Sequence, residues 1–147
     1  MTKTLKKKLA AFGACALALS AITATTAFAS NDNYDFSFRI QGSVDNAQDP
    51  TPRYRGTDDN SNAWKVNLTY SEEGSGTITD FWIVSSYGSA SQQHHVKQGN
   101  GAYYFAANNN GDYVDVYLTA ENNNFATSTQ YNVSGYWDPE TGVHVAT

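Results

Sequence analysis

Cysteine and methionine are almost missing from this 147-residue chain, and leucine and positive charge are scarce beyond its first 29 residues. The one cysteine, Cys15, lies within the first 29 residues, so everything after them lacks a thiol, a disulfide and a cysteine metal site. Beyond those residues only Leu68 and Leu118 remain of the leucines, and Met1 is the sole methionine. Lys3, Lys6, Lys7 and Lys8 also fall in the first 29 residues, which hold no acid. The remainder therefore sets five bases against all 14 acids, a net charge of −9. Such a surface repels a phosphate backbone and excludes general nucleic-acid binding.

The first residues read as an address. Met1–Lys8 is basic, Leu9–Ile22 is an apolar run rich in Ala and Leu, and Ala27-Phe28-Ala29 has small residues where a signal peptidase reads them. The expected cleavage lies between Ala29 and Ser30. A membrane span needs about 20 strongly apolar residues; this run is shorter and gives way to Thr23, Thr25 and Thr26. No transmembrane segment is expected after processing, and the exported domain runs over 30–147.

That remainder alternates with a period of two. In Tyr34–Gln41 the residues Tyr34, Phe36, Phe38 and Ile40 share one strand face, while Asp35, Ser37, Arg39 and Gln41 share the other. Trp64–Tyr70, Tyr113–Ala120 and Tyr131–Trp137 repeat the pattern, and Ile78–Ser85 and Ala102–Ala107 read as more deeply buried strands. Glu72–Gly76 and Asn108–Gly111 read as hairpin loops. Asp138–Gly142 reads as a turn that folds Val143–Ala146 back beside Tyr131–Trp137. The expectation is an all-β fold, an antiparallel β-sandwich or alternatively a small barrel, of about seven to eight short strands. With so little leucine, aromatic side chains and valine must supply the buried area.

One long irregular segment, 42–63, interrupts the pattern, and such loops often carry function. Within it Arg53-Tyr54-Arg55 places two of the five remaining bases around an aromatic ring. Two readings fit: a short edge strand, and a contact patch for an anionic partner such as a wall polymer.

Catalytic patterns are scarce. Adjacent strand residues point to opposite faces, so His94 and His95, with His144 elsewhere, read as exposed histidines rather than metal ligands. Asp58, Asp59, Asn60 and Asp112 offer oxygen ligands without the spacing that wraps a cation. Asp35, Asp80 and Asp115 lie inside strands and are the carboxylates best placed for perturbation, yet no nucleophile elbow or placed base accompanies them. The expectation is a non-enzyme without a cofactor. Exposed aromatics raise carbohydrate binding instead: Tyr113 and Tyr117 alternate onto the face opposite Val114 and Val116, with Tyr87, Tyr103 or Tyr104 as further members.

Four runs carry a family likeness: Trp64-Lys65-Val66-Asn67-Leu68-Thr69-Tyr70-Ser71, Val96-Lys97-Gln98-Gly99-Asn100-Gly101, Ala120-Glu121-Asn122-Asn123-Asn124 and Val133-Ser134-Gly135-Tyr136-Trp137-Asp138. With them the chain resembles a family of small secreted proteins of Gram-positive bacteria known only as a domain of unknown function. More distantly it is similar to secreted sheet-forming bacteriocins of the lactococcin kind. The likeness implies an envelope setting and a part in competition between strains, and it supplies no functional residues. The resulting expectation is a secreted, non-catalytic binding protein whose partner is a cell-wall glycan or a surface protein. Bacteriocin-like antagonism is the alternative, and a carbohydrate-binding or glycan-active protein the third reading.

Overall fold

A computed structural model of the chain describes residues 31–42, 46–124 and 126–147. The export signal and its cleavage between Ala29 and Ser30 fall outside them. The described residues form ten strands: β1 (Tyr34–Ile40), β2 (Ala47–Gln48), β3 (Arg53–Arg55), β4 (Trp64–Ser71), β5 (Ile78–Ser85), β6 (Gly88–Ser89), β7 (His94–Lys97), β8 (Tyr103–Phe105), β9 (Val114–Asn122) and β10 (Tyr131–Asp138). One sheet has the order β1-β10-β4-β8. In the other, β9 and β5 are central, β2 and β3 pair with β9, and β6 and β7 pair with β5. Every pairing is antiparallel. The fold is an all-β sandwich.

Period-two alternation places the core. Phe36 and Ile40 of β1, Trp64, Val66 and Leu68 of β4, and Val133 and Trp137 of β10 point inward from the first sheet. Phe81 and Ile83 of β5, Val96 of β7, and Val116, Leu118 and Ala120 of β9 meet them from the second. Two polar contacts cross between the layers. Tyr131 hydroxyl lies 3.2 Å from Thr79 Oγ1, and Trp137 Nε1 donates to Asp49 Oδ2 at 3.3 Å. Burial pushes the Tyr131 phenol up to about 12, so it stays neutral and hydrogen-bonded at any ordinary pH.

The connections differ from the sequence expectation in three places. Glu72–Gly76 and Asn108–Gly111 do not close hairpins: each carries the chain from the first sheet to the second, β4 to β5 and β8 to β9. Asn109–Gly111 is a 3₁₀ turn started by the Asn108 side chain, which accepts from Asn110 N–H. Val143–Ala146 does not lie beside β10. It runs along residues 61–63, with Ala63 N–H donating to Val143 O at 2.8 Å and Val145 N–H to Ser61 O at 2.9 Å. Asn-rich and Pro-Gly turns specify local backbone conformation, not which sheet receives the next strand. Segment 42–63 is not irregular throughout, because it contains β2 and β3. Tyr103–Phe105 forms a half-buried edge strand rather than a deeply buried one.

Gly135 sits where the β10–β4 register shifts. A Cβ there would stand 1.9 Å from the Asn67 carbonyl oxygen. Gly135→Ala must push the two central strands of the first sheet apart, and we expect a loss of at least about 2 kcal/mol in denaturant unfolding. Asp138 is buried at the end of β10. Its Oδ1 accepts from Glu140 N–H, while Oδ2 has no hydrogen-bond partner among the described residues. Burial raises its carboxyl to about 6, against the pull of the Glu140 N–H and the Lys65 charge. Its ionisation therefore opposes folding: stability on this account is fullest below the unfolded value near 4 and falls as pH rises through about 6. Asp138→Asn should stabilise the protein by roughly 1–3 kcal/mol at pH 7, and the gain should vanish below pH ~4, as read from urea midpoints across that range.

Candidate binding face

The outer face of the second sheet collects the aromatic and polar groups that the core leaves out. Since Phe81, Ile83, Val116 and Leu118 point inward, Trp82 and Val84 of β5, and Asp115, Tyr117, Thr119 and Glu121 of β9, must point outward. Cross-strand register then sets who stands beside whom. Trp82 is level with Thr119, Val84 with Tyr117, and Tyr54 of β3 with Asp115. Tyr113 follows one two-residue step further along, just before β9 begins. The result is an aromatic ring at each of four successive two-residue levels: Trp82, Tyr117, Tyr54 and Tyr113. With steps of about 6.7 Å, the track is about 20 Å long.

Two recesses lie along it. One, of about 470 Å³, has Trp82 against its floor and Asn46, Ser89, Gln92, Gln93 and Glu121 around it. The second, of about 530 Å³, is lined by Tyr117, Val84, Gln48, Ser85 and Asp115. Gln48 Nε2 donates to Thr119 Oγ1 at 3.4 Å on the ridge between them. Trp82 is 6 % exposed, covered by its polar neighbours, whereas Trp64 and Trp137 are wholly within the core. Tyr54 and Tyr113 are 59 % and 57 % exposed. Tyr113 takes a left-handed backbone, φ 48°, so it belongs to the turn and not to the strand alternation expected of it. Its ring nevertheless reaches the same side: the Asp58 charge, with Asp112 and Tyr54 nearby, raises the Tyr113 phenol above its usual range.

Arg53, Tyr54 and Arg55 do not form a cationic patch. They form the edge strand β3, whose alternation turns both arginines inward and Tyr54 outward. Arg53 lies over the Tyr34 ring, 4.3 Å from its centroid. Arg55 is completely buried. Its Nη1 donates to the carbonyls of Asn62 at 2.9 Å and Pro139 at 2.7 Å, and its Nη2 to that of Asp59 at 2.7 Å. Burial lowers the guanidinium's pKa, against the opposing charges of Glu140, Asp112 and Asp59. Neither arginine is presented to an anionic polymer, and the track beside them carries carboxylates instead.

The histidines are separated. His94 points inward and stacks on Phe105, centroids 3.8 Å apart, and burial lowers its pKa. His95 points outward, its Nδ1 against Asp80 Oδ1. His144 Nδ1 lies 2.9 Å from Ser61 Oγ and 3.4 Å from Asp59 Oδ2. Among the described residues no three His, Cys, Asp or Glu side chains are grouped to hold a metal ion. Asp80 and Glu121 stand directly opposite each other next to Trp82, but each is occupied locally, Asp80 by His95 and Glu121 by the Gln93 amide. Asp35 and Asp115 are exposed on outer faces. Tyr103 and Tyr104 belong to the first sheet, and Tyr87 is at the β5–β6 turn.

Trp82, Gln48, Gln93 and Glu121 were not singled out by sequence. The signal was present in the shared parity of Asp80, Trp82 and Val84, but the apolar run Ile78–Ser85 masked it.

Arg55→Ala would leave the Asn62 and Pro139 carbonyls without their donor, leave that of Asp59 with only Asn62 N–H, and release the segments they belong to. We expect a loss of about 3–5 kcal/mol, with Arg55→Lys recovering only part, because one ammonium does not reproduce the planar fork. Arg53→Ala should cost about 1 kcal/mol, the worth of a partly desolvated cation–π contact. Urea midpoints of the three variants measure this ordering.

Comparison with curated proteins finds no match, and no solved structure matches. No helix among the described residues is long and apolar enough to cross a membrane. Residues 23–141, most of the chain, match the profile of the family described as "Protein of unknown function (DUF2712)", and the chain belongs to that family.

Proposed function

We propose that this protein is a secreted, non-catalytic binder of neutral glycan chains, which lie along the outer face of the second sheet. The observation that carries the reading is the aromatic track Trp82–Tyr117–Tyr54–Tyr113, set among amide, hydroxyl and carboxylate side chains. Sugar rings present apolar C–H faces to flat aromatics and hydroxyls to amides and carboxylates. A row of such groups suits an extended chain better than a compact ligand. The charge on the face supports a neutral ligand. Asp58, Asp112, Asp115 and Glu121 lie along the track, Arg53 and Arg55 are turned away, and Lys97 stands only at its far end, level with Ile78. An anionic wall polymer would meet repulsion along most of that length. The basic and apolar residues before Ala29 support export, and the resemblance to small Gram-positive secreted proteins supports an envelope setting.

Binding is tested by affinity electrophoresis through soluble neutral polysaccharides and an anionic wall polymer. The protein should be retarded by a neutral glycan and not by the anionic one. Tyr54→Ala and Tyr117→Ala should each weaken retardation by about five- to tenfold, near 1 kcal/mol per aromatic contact, with unchanged unfolding midpoints. Tryptophan fluorescence gives a second reading, since only Trp82 borders the track. A ligand-induced change should disappear in Trp82→Phe. Retardation that is indifferent to both tyrosine substitutions would remove this face as the site.

A further inference from the structure

We propose that β1 is the pairing edge of a symmetric dimer, in which a second copy of this chain adds its own β1 antiparallel about a twofold axis at Ser37. β1 is the terminal strand of the first sheet and pairs with β10 along its whole length on one side. On the other side no other described segment supplies it a backbone hydrogen bond. At seven residues it is much the longest open edge among the described residues; β2, β3, β6, β7 and β8 have two to four. Edges of folded proteins are usually blunted by brevity, proline, lysine or a bulge. β1 is long and has no proline, lysine or bulge; its only charged residues are Asp35 and Arg39, of opposite sign, and its register with β10 runs without interruption.

The side chains say what the edge fits. β1 carries two charges, Asp35 and Arg39, both exposed on the outer face and placed symmetrically about Ser37. Antiparallel self-pairing centred on Ser37 uses all seven residues. It sets Asp35 opposite Arg39 of the second copy, and Arg39 opposite Asp35. On the inner side it sets Phe36 opposite Phe38 and Tyr34 opposite Ile40, so the half-buried Tyr34 and Phe38 at the lip of the sandwich gain cover. A slip of one residue would put outward side chains against inward ones. A slip of two would set only one of the two charges opposite Ser37, carry the other past the end of the strand, and shorten the ladder. Opposite charges at directly paired positions favour the centred register. Within one chain, Arg39 is paired across the ladder with Asn132, whose N–H and amide hold Glu72, and the Arg53 guanidinium lies over the Tyr34 ring. The second of these contacts stiffens the edge.

An axis through Ser37 runs perpendicular to the sheet, so the outer faces of the two second sheets point the same way. The inference stands on β1 alone and does not require a glycan ligand.

Two experiments on the full chain test it. In a Cys15→Ser background, Ser37→Cys should form an interchain disulfide under mild oxidation, because paired residues on the axis have Cα atoms within disulfide reach. Asp35→Cys and Arg39→Cys, equally exposed but off the axis, should not. In sedimentation velocity over a concentration series, Asp35→Arg and Arg39→Asp should each weaken self-association by about tenfold. The double variant, which restores opposite pairs with the signs exchanged, should return close to the parent. A parent that stays monomeric at the highest concentration, cross-linking equal at all three positions, or a double variant no better than the singles would overturn the proposal. Circular dichroism melting of each variant separates loss of pairing from loss of fold.

Discussion

The buried Arg55 guanidinium holds together parts of the chain that no sheet joins. Taking a cation out of water costs several kcal/mol unless its donors are met, and here two of its nitrogens meet three backbone carbonyls. Those carbonyls belong to Asp59, Asn62 and Pro139, so one side chain fastens the segment after β3 and the turn after β10. Charge-assisted bonds of this kind are each worth about 1.5–3 kcal/mol, enough together to offset the desolvation. Because Arg55 points inward, the alternation of β3 obliges Tyr54 to point outward. The exposed ring on the binding face is thus a consequence of the buried cation.

The same fastening explains the C-terminal path. With Pro139 and Asn62 held on one guanidinium, residues 141–145 lie along 61–63: Thr141 N–H and Oγ1 both reach Ala63 O, and Gly142 N–H reaches Asn62 Oδ1. Val143 O and Val145 N–H are satisfied there by Ala63 N–H and Ser61 O, which leaves β10 to pair with β1 and β4. The interlayer contacts Trp137–Asp49 and Tyr131–Thr79, at the two ends of β10, tie the two sheets together where leucine is too scarce to fill the space. The outer face of the second sheet is then a by-product of a well-registered interior, and its aromatic spacing is inherited from the ladder of β9.

Much of this was legible in the residues. Tyr34–Ile40 and Tyr131–Trp137 alternate plainly, and each is a strand with the anticipated face inward; Trp64–Leu68 does the same, but the register shift at Ser134/Gly135 turns Tyr70 outward, 52 % exposed, against the alternation expected of it. Arg53–Arg55 was one of two readings, and the edge strand is the one the structure contains. Tyr113 and Tyr117 reach the same side of the molecule, though only Tyr117 does so by alternation. Trp82 was hidden because it sits in Phe81–Val84, which is apolar at every position, and such a run reads the same whether one face or both are covered. Asn108–Gly111 was read as a hairpin because its residues tolerate tight turns, a property shared by turns that cross between sheets.

By itself the sequence determined the all-β class, the acidity, the aromatic core and the positions of most long strands, since period two and side-chain chemistry are local properties. Only the tertiary structure decided which strands pair, that Arg55 lies inside, that Trp82 turns to the outer side of its sheet and is covered there, and that the last residues join segment 61–63. Alternation divides a strand into two faces without saying which one meets water, and a turn reverses the chain without choosing its neighbour. Those choices are made by contacts between residues far apart in the chain, where burial, backbone hydrogen bonding and one desolvated cation must be satisfied together.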